Sequence, residues 1–275
     1  MRRILGALCV MLLVAAAVRA DVAITTCGTL VSPGDTGVLA GDLDCGGASP
    51  GVILGRSTTL VLNGFSIRNA ADPAVDCVDG ACAVLGGPAS EISDCAGDGI
   101  RAGSPAQPSR RRVTVSDLRI RGCDGSGIEA PMATVVATAV ETSGNGAHGI
   151  HARKVRATDV LASANGLHGV VAMRKVLAAG ITAEANGANG INAFEGRVRV
   201  AGALVTGNTH AGIAARLLDL EAGTVTANNT GAFGIDLFVV RPPHVRDTVC
   251  GQSRQLLVVG GQIQAGPTWG VCAGD

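Results

Sequence analysis

The chain has no tyrosine, one tryptophan and four phenylalanines, so aromatic residues make up only 2% of its 275 residues. That scarcity excludes a globular core built on large rings. The abundant Ala and Val and the 40 Gly suit a thin interior that bulky side chains would not fit. After residue 20 no apolar run is long enough to cross a bilayer. No cysteine pair has the two-residue spacing of a zinc knuckle. Net charge is missing too, with 22 basic against 22 acidic residues, yet the balance is uneven along the chain. Residues 21–98 hold ten Asp and Glu against Arg56 and Arg68, whereas residues 99–216 hold fourteen Arg and Lys against seven acids.

What is present begins with a secretory signal over residues 1–20. Arg2 and Arg3 precede an apolar stretch from Ile4 to Val18, and Val18-Arg19-Ala20 forms a small-residue cleavage site before Asp21. The remaining chain, residues 21–275, is expected to be a single exported domain, secreted or periplasmic, for which nucleic acid is not an expected partner. Cys9 leaves with the signal. The other eight cysteines fall into sequence-local pairs, Cys27/Cys45, Cys77/Cys82, Cys95/Cys123 and Cys250/Cys272, and disulfides are the expected state in an oxidising compartment. Other connectivities stay open at this point.

The strongest signal is periodic. A polar turn ending in Gly and an aliphatic residue recurs at Gly99-Ile100, Gly127-Ile128, Gly149-Ile150, Gly169-Val170, Gly190-Ile191, Gly212-Ile213 and Gly234-Ile235, in steps of 28, 22, 20, 21, 22 and 22 residues. A fixed period of this size marks a stacked solenoid. Within one unit, Thr158 to Met173, apolar residues alternate on both sides of the Asn165-Gly166 turn, as in short strands around a corner. No helical pattern fits inside the period and no hexapeptide beat is present, which excludes leucine-rich repeats and the left-handed β-helix. The expectation is an all-β, right-handed parallel β-helix of roughly eight to ten coils. Residues 23–56 are expected to cap one end and residues 240–275 to close the other.

Four residues before each Gly the chain carries Cys95, Cys123, Asn145, Asn165, Asn186 and Asn208, with Asn229 one place off in the last turn. Stacked on successive coils, such amides can bond one another along the axis, and both Asn and the following Gly suit a left-handed corner. Cys95 and Cys123 occupy the same rung positions on neighbouring coils, close enough for a disulfide. The extra residues of the 28-residue step, Ser104 to Arg112, are expected to loop outward.

Two further segments carry a family resemblance. Cys27-Gly28, Pro33-Gly34, Asp42-Leu43-Asp44-Cys45 and Leu60-Val61-Leu62-Asn63-Gly64 are similar to the opening of secreted bacterial right-handed parallel β-helix repeat proteins, and Trp269-Gly270-Val271-Cys272 resembles the closing segment of some of them. The resemblance covers nearly the whole chain after the signal and implies the pectate-lyase-like fold, which by itself does not fix a function.

The enzyme motifs of that superfamily are largely missing. His148-Gly149 and His168-Gly169 follow Ala147 and Leu167 rather than Gly; no two Asp are adjacent, and the Asp-Pro-His-Asp signature of alginate epimerases is absent. A calcium-dependent lyase would need converging acids with an Arg or Lys base. The column just after each Gly-aliphatic pair reads Arg101, Glu129, His151, Val171, Asn192, Ala214 and Asp236, with no two acids on adjacent coils. No cofactor is expected, calcium entering only with a lyase.

Two polar groupings remain. His148 and His168 share a turn column with Asp98, Ser126 and Asn189, and His151 lies three residues from His148. These imidazoles are candidate metal ligands or acid–base groups, although solvated turn residues without an orienting carboxylate are the ordinary alternative. Arg153, Lys154 and Arg156 fall on one coil, Arg174 and Lys175 on the next, Arg197 and Arg199 on the third and Arg216 on the fourth, with Arg110 to Arg112 in the inserted segment. Stacking makes a basic stripe of them, suited to an anionic polysaccharide or cell-surface glycan or simply to water. Phe194 and Phe238, three residues after the repeat's aliphatic position, are expected to cover coil corners.

The leading functional expectation is therefore an exported, non-catalytic recognition or structural module. A polysaccharide lyase or hydrolase is the alternative, and a metal-handling periplasmic protein a second one.

Overall fold

The computed structural model describes residues 21–47, 50–78, 81–103, 111–228 and 235–275. The signal segment and Gly234 lie outside the described residues, as do Ser104 to Arg110 of the inserted segment. All regular structure among the described residues is β, and successive coils pair in parallel along a solenoid of about 9 turns. The chain forms a right-handed parallel β-helix.

Four central coils are each one long bent strand, Ile128–Ser143, Ile150–Ser163, Val170–Glu184 and Ile191–Thr206. Each has three straight segments, for example 150–152, 154–158 and 160–163, set by the alternation of buried and outward residues. Like residues stack inside. Ile100, Ile128, Ile150, Val170, Ile191 and Ile213 form one column, and Val113, Val135, Val155, Val176 and Val198 another. Ile235 does not continue the first column; Leu237 pairs with Ile213 instead, because the last unit is shifted by two residues. Asp236 and Phe238 consequently leave the columns their sequence spacing gives them.

The bends are made by left-handed residues in two stacks. Asp117, Ala139, Asp159, Gly180 and Gly202 turn the second segment into the third, with φ of 51–66°. Gly144, Ala164, Ala185, Gly207 and Ala227 turn the third segment into the polar loop, with φ of 52–65°. The recurring Gly before the aliphatic residue therefore has another cause than the left-handed one the sequence suggests. At Gly149 a Cβ would lie 2.5 Å from the Gly169 carbonyl oxygen and 2.9 Å from the Asn165 amide nitrogen. These glycines make room for the amide ladder beside them.

The ladder itself is continuous. The Oδ1 of Asn165 accepts the Nδ2–H of Asn145 at 2.9 Å, Asn186 that of Asn165 at 3.0 Å, Asn208 that of Asn186 at 2.8 Å and Asn228 that of Asn208 at 2.7 Å. Asn228 takes the place expected for Asn229. The final acceptor is the buried carboxylate of Asp236, whose Oδ1 takes the Asn228 amide at 2.9 Å and whose Oδ2 takes the Gly251 N–H at 2.7 Å. An amide has two faces to satisfy, and a carboxylate that only accepts ends the series without an orphaned donor.

The four expected disulfides all form, with Cα separations of 5.6 Å for Cys27–Cys45, 6.1 Å for Cys77–Cys82, 4.4 Å for Cys95–Cys123 and 5.0 Å for Cys250–Cys272. Cys95–Cys123 sits at the head of the ladder, where the Cys123 N–H already donates to Asn145 Oδ1 at 3.2 Å. Replacing both cysteines by Ala is expected to cost about 3 kcal/mol. Replacing both by Asn should recover part of that loss by extending the ladder two rungs; urea melts of the two double variants that coincide would contradict this.

At the N-terminal end, residues 23–56 contribute coil strands of their own, Asp21–Ile24 pairing with Thr36–Leu39 and Thr29–Val31 with Val52–Leu54. At the other end Ser253–Val259 and Gln262–Thr268 form an antiparallel hairpin. Asp275 accepts the N–H groups of Ser253, Val271 and Cys272 and fastens the terminus. In the inserted segment Arg111 is buried at 4% exposure rather than looping outward, and Arg112 opens the strand Arg112–Arg121.

Candidate functional site

Because the coils stack in register, each outward position of the repeat becomes a row of side chains along the axis. The row after the Ile column reads Asp76, Arg101, Glu129, His151, Val171, Asn192, Ala214 and Phe238. Its first four members make a charged cluster. Arg101 donates to Asp72 at 2.7 Å and lies 3.4 Å from an Asp76 oxygen, and His151 Nδ1 meets Glu129 Oε1 at 2.8 Å. His151 thus has the orienting carboxylate that the sequence reading lacked.

The neighbouring turn row, Asp98, Ser126, His148, His168 and Asn189, joins this cluster. Ser126 bridges two acids: its N–H donates to Asp98 Oδ1 at 2.8 Å and its hydroxyl to Glu129 Oε2 at 2.9 Å. Burial, joined by the charges of Glu129 and Asp72, outweighs the Ser126 N–H and holds the Asp98 carboxyl above the usual carboxylate range. Burial also opposes ionisation of Glu129, but the hydrogen bond and charge of His151 and the Ser126 hydroxyl prevail and hold Glu129 below its ordinary value. The proton affinities of the two acids are therefore driven apart.

The row also has a structural function. His148 Nδ1 accepts the His168 N–H at 3.3 Å, His168 Nδ1 accepts the Asn189 N–H at 3.0 Å, and Asn189 Oδ1 accepts the Ala211 N–H at 2.9 Å. Each side chain caps the backbone of the next coil. An accepting Nδ1 carries no proton, so neither imidazole is charged; His168 Nε2 lies 3.1 Å from the Asn192 amide nitrogen. Burial pushes His148 down, with the charge of His151 adding to it, and pushes His168 down to about 4.

The three histidines are neighbours, as expected. The His148 and His168 rings stack with centroids 5.3 Å apart, and His148 and His151 are 5.1 Å apart. Among the described residues no group of three or more His, Cys, Asp or Glu is arranged to hold a metal ion.

The basic stripe maps onto a different face. Lys154, Lys175 and Arg197 share one outward row of the second segment on three consecutive coils, and Arg156 and Arg199 share the next row with Leu177 between them. Arg153, Arg174 and Arg216 fall at the corners between first and second segments, where the register shifts. Among the described residues none of these eight side chains is in an ion pair; the pairs that form use Arg68, Arg101, Arg121 and Arg246. Arg156 and Arg199 line a groove of about 700 Å³ that runs on over Asp219 and Glu221 to His244 and Arg246 of the next coil.

No protein-family model matches the chain, and no curated protein matches its sequence. Among solved structures it is similar to the A-module of the Azotobacter vinelandii mannuronan C-5 epimerase AlgE4, at 15% identity and a TM-score of 0.45, over 85% of this chain and 80% of that one. The A-module of the same organism's mannuronan C-5 epimerase AlgE6 is similar at 16% identity and a TM-score of 0.39, over 90% of this chain and 75% of that one.

Proposed function

We propose that this protein is an extracytoplasmic β-helix module that holds an anionic polysaccharide along its basic face. The observation that carries this reading is the register of Lys154, Lys175 and Arg197 on consecutive coils, about 4.8 Å apart along the axis. Cations at a fixed rise suit a linear polymer that repeats its own charge, and the absence of ion pairs to them among the described residues leaves them for a ligand. Arg156 and Arg199 extend the contact into the groove. The four disulfides fit an oxidising compartment, where such polymers are met, and the signal segment at residues 1–20 supplies the route of export.

A second reading is favoured by Ser126 bridging Asp98 and Glu129 beside His151. Two carboxyls whose proton affinities are driven apart, one of them bonded to an imidazole, supply the kind of groups that acid–base cleavage of a polysaccharide uses.

One assay separates the two. Immobilised polygalacturonate and alginate are expected to retain the protein at low salt and release it as salt screens the exposed charges. Exchanging Lys154, Lys175 and Arg197 together for Gln should weaken retention at least tenfold, about 1.4 kcal/mol. Retention that survives the triple variant would overturn the basic face as its cause. Unsaturated or shortened product that disappears in Glu129→Gln would establish the second reading in its place.

A further inference from the structure

The outward row of the first segments changes character at one coil. Between Asn192 and Phe238 it carries Ala214, a residue that is 3% exposed. Neighbouring coils are about 4.8 Å apart, so Asn192 and Phe238 stand roughly 9.6 Å apart with one methyl between them. The missing side chain leaves a cavity of about 360 Å³. Phe194, on the corner below, and Phe238 form its walls, and Leu256 and Ile263 of the closing hairpin cover it. Two of the four phenylalanines in the whole chain thus line one slot, rather than covering separate coil corners.

The chemistry of the lining narrows the occupant. Among the described residues its lining contains no Lys, Arg, Asp or Glu, so a ligand carboxylate would be desolvated there without a counter-charge. The polar groups are the amides of Asn189 and Asn192 and the rings of His168 and His210. His168 adds no charge, since its Nδ1 accepts a backbone N–H. Asn192 Oδ1 accepts the Phe194 N–H and its Nδ2 meets His168 Nε2, and Asn189 Oδ1 accepts the Ala211 N–H. The capacity left for a ligand is the second amide hydrogen of Asn192, the Asn189 Nδ2 and the His210 ring; a purely apolar ring would cover these without replacing their hydrogen bonds to water. A ring with an apolar face and a hydroxylated edge satisfies both walls. The volume, at the low end for ligand pockets, admits one such ring rather than an oligosaccharide.

We propose that the Ala214 slot binds a single uncharged pyranose ring, its apolar face against Phe194 and Phe238 and its hydroxyls on Asn192 and His210. The slot lies on the first-segment face and is independent of the polyanion reading, which concerns the second-segment face. It gives the module a selector for a neutral sugar within, or at the end of, a glycan.

The test titrates the purified protein with methyl glycosides of glucose, galactose and mannose, with methyl glucuronide and phenol as controls, followed by amide chemical shifts. At least one neutral glycoside is expected to saturate with a Kd on the order of millimolar, moving resonances of Asn192, Phe194, Ala214 and Phe238. Ala214→Leu, which fills the slot, should weaken binding at least tenfold without changing polyanion retention, and Asn192→Ala should weaken it severalfold if the larger residue disturbs the coil. No saturation by any neutral glycoside, or saturation unaltered in both variants, would overturn the proposal. Equal binding of the glucuronide would overturn the exclusion of charge, and equal binding of phenol the recognition of hydroxyls.

Discussion

Asn186→Ala is expected to destabilise the protein by roughly 3–5 kcal/mol, among the largest effects of any single truncation of a polar side chain here. Asn186 is fully buried. Its Oδ1 accepts both the backbone N–H of Asn165 at 3.1 Å and the Asn165 amide at 3.0 Å, while its own Nδ2 donates to Ala162 O at 3.0 Å and Asn208 Oδ1 at 2.8 Å. Truncation leaves two donors of Asn165 unpaired in a closed corner, at about 1–3 kcal/mol for each group that water cannot reach, and takes one partner each from Ala162 O and from Asn208 Oδ1, which keeps the Asn186 backbone N–H at 3.1 Å. The neighbouring glycines deepen the effect, because Gly169 exists to let that amide approach; a Cβ there would lie 2.8 Å from Asn186 Nδ2. Asn189→Ala, which removes one acceptor at the half-buried turn row, should cost about 1 kcal/mol and serves as the comparison. Urea melts that show a similar small loss for both variants would dismiss the ladder as a source of stability.

The fold was legible because a solenoid repeats its constraints. The alternation around Ile150, Val155 and Val160 states which residues face inward, and the same statement returns on every coil. What spacing could not state was which of two causes lay behind a repeated residue. Gly149 and Gly169 read as left-handed corners, yet the corners belong to two other stacks, such as Asp159 with Gly180 and Ala164 with Gly207, where a mixture of Asp, Ala and Gly hides the shared conformation. The shift at Asn228 and Leu237 was hidden likewise, since the Gly-Ile beat persists at 234–235 while the backbone register has moved two residues. The charged cluster was nearer to hand. Glu129 and His151 both stand two residues after a repeat Gly, so parallel stacking places them side by side; searching that row for paired acids alone passes over the acid–imidazole pair. The bridge from Asp98 through Ser126 to Glu129 crosses between two rows, and no single column of the repeat contains it. The Ala214 slot needs the closing hairpin as well, whose placement depends on contacts far apart in sequence.

Acidification from pH 6.5 to 4 is expected to lower stability by roughly 3 kcal/mol through His168 alone. Burial, reinforced by the charges of His148, His210 and His151, brings its pKa down from 6.5 to about 4 in the folded chain. Between those values the unfolded chain takes up a proton that the folded chain refuses, so the contribution is fully present above pH 6.5, falls as pH falls and levels off below about 4. His148 is displaced in the same direction and adds to the loss. Glu129, held low, loses its own contribution as it protonates near the acid end of that range, whereas Asp98, held high, works the other way and offsets part of it. The histidine effect has a local structural cause: a protonated Nδ1 would turn a donor toward the Asn189 N–H that it now accepts at 3.0 Å. His168→Asn provides the decisive comparison, because an amide oxygen at that turn position already caps the next coil at Asn189, where Oδ1 accepts the Ala211 N–H at 2.9 Å. The substitution keeps the cap and removes the titration, so the variant's urea midpoint should fall much less steeply between pH 6.5 and 4 while matching the parent near pH 7.5. A variant slope equal to the parent's would show that the acid sensitivity arises elsewhere in the solenoid.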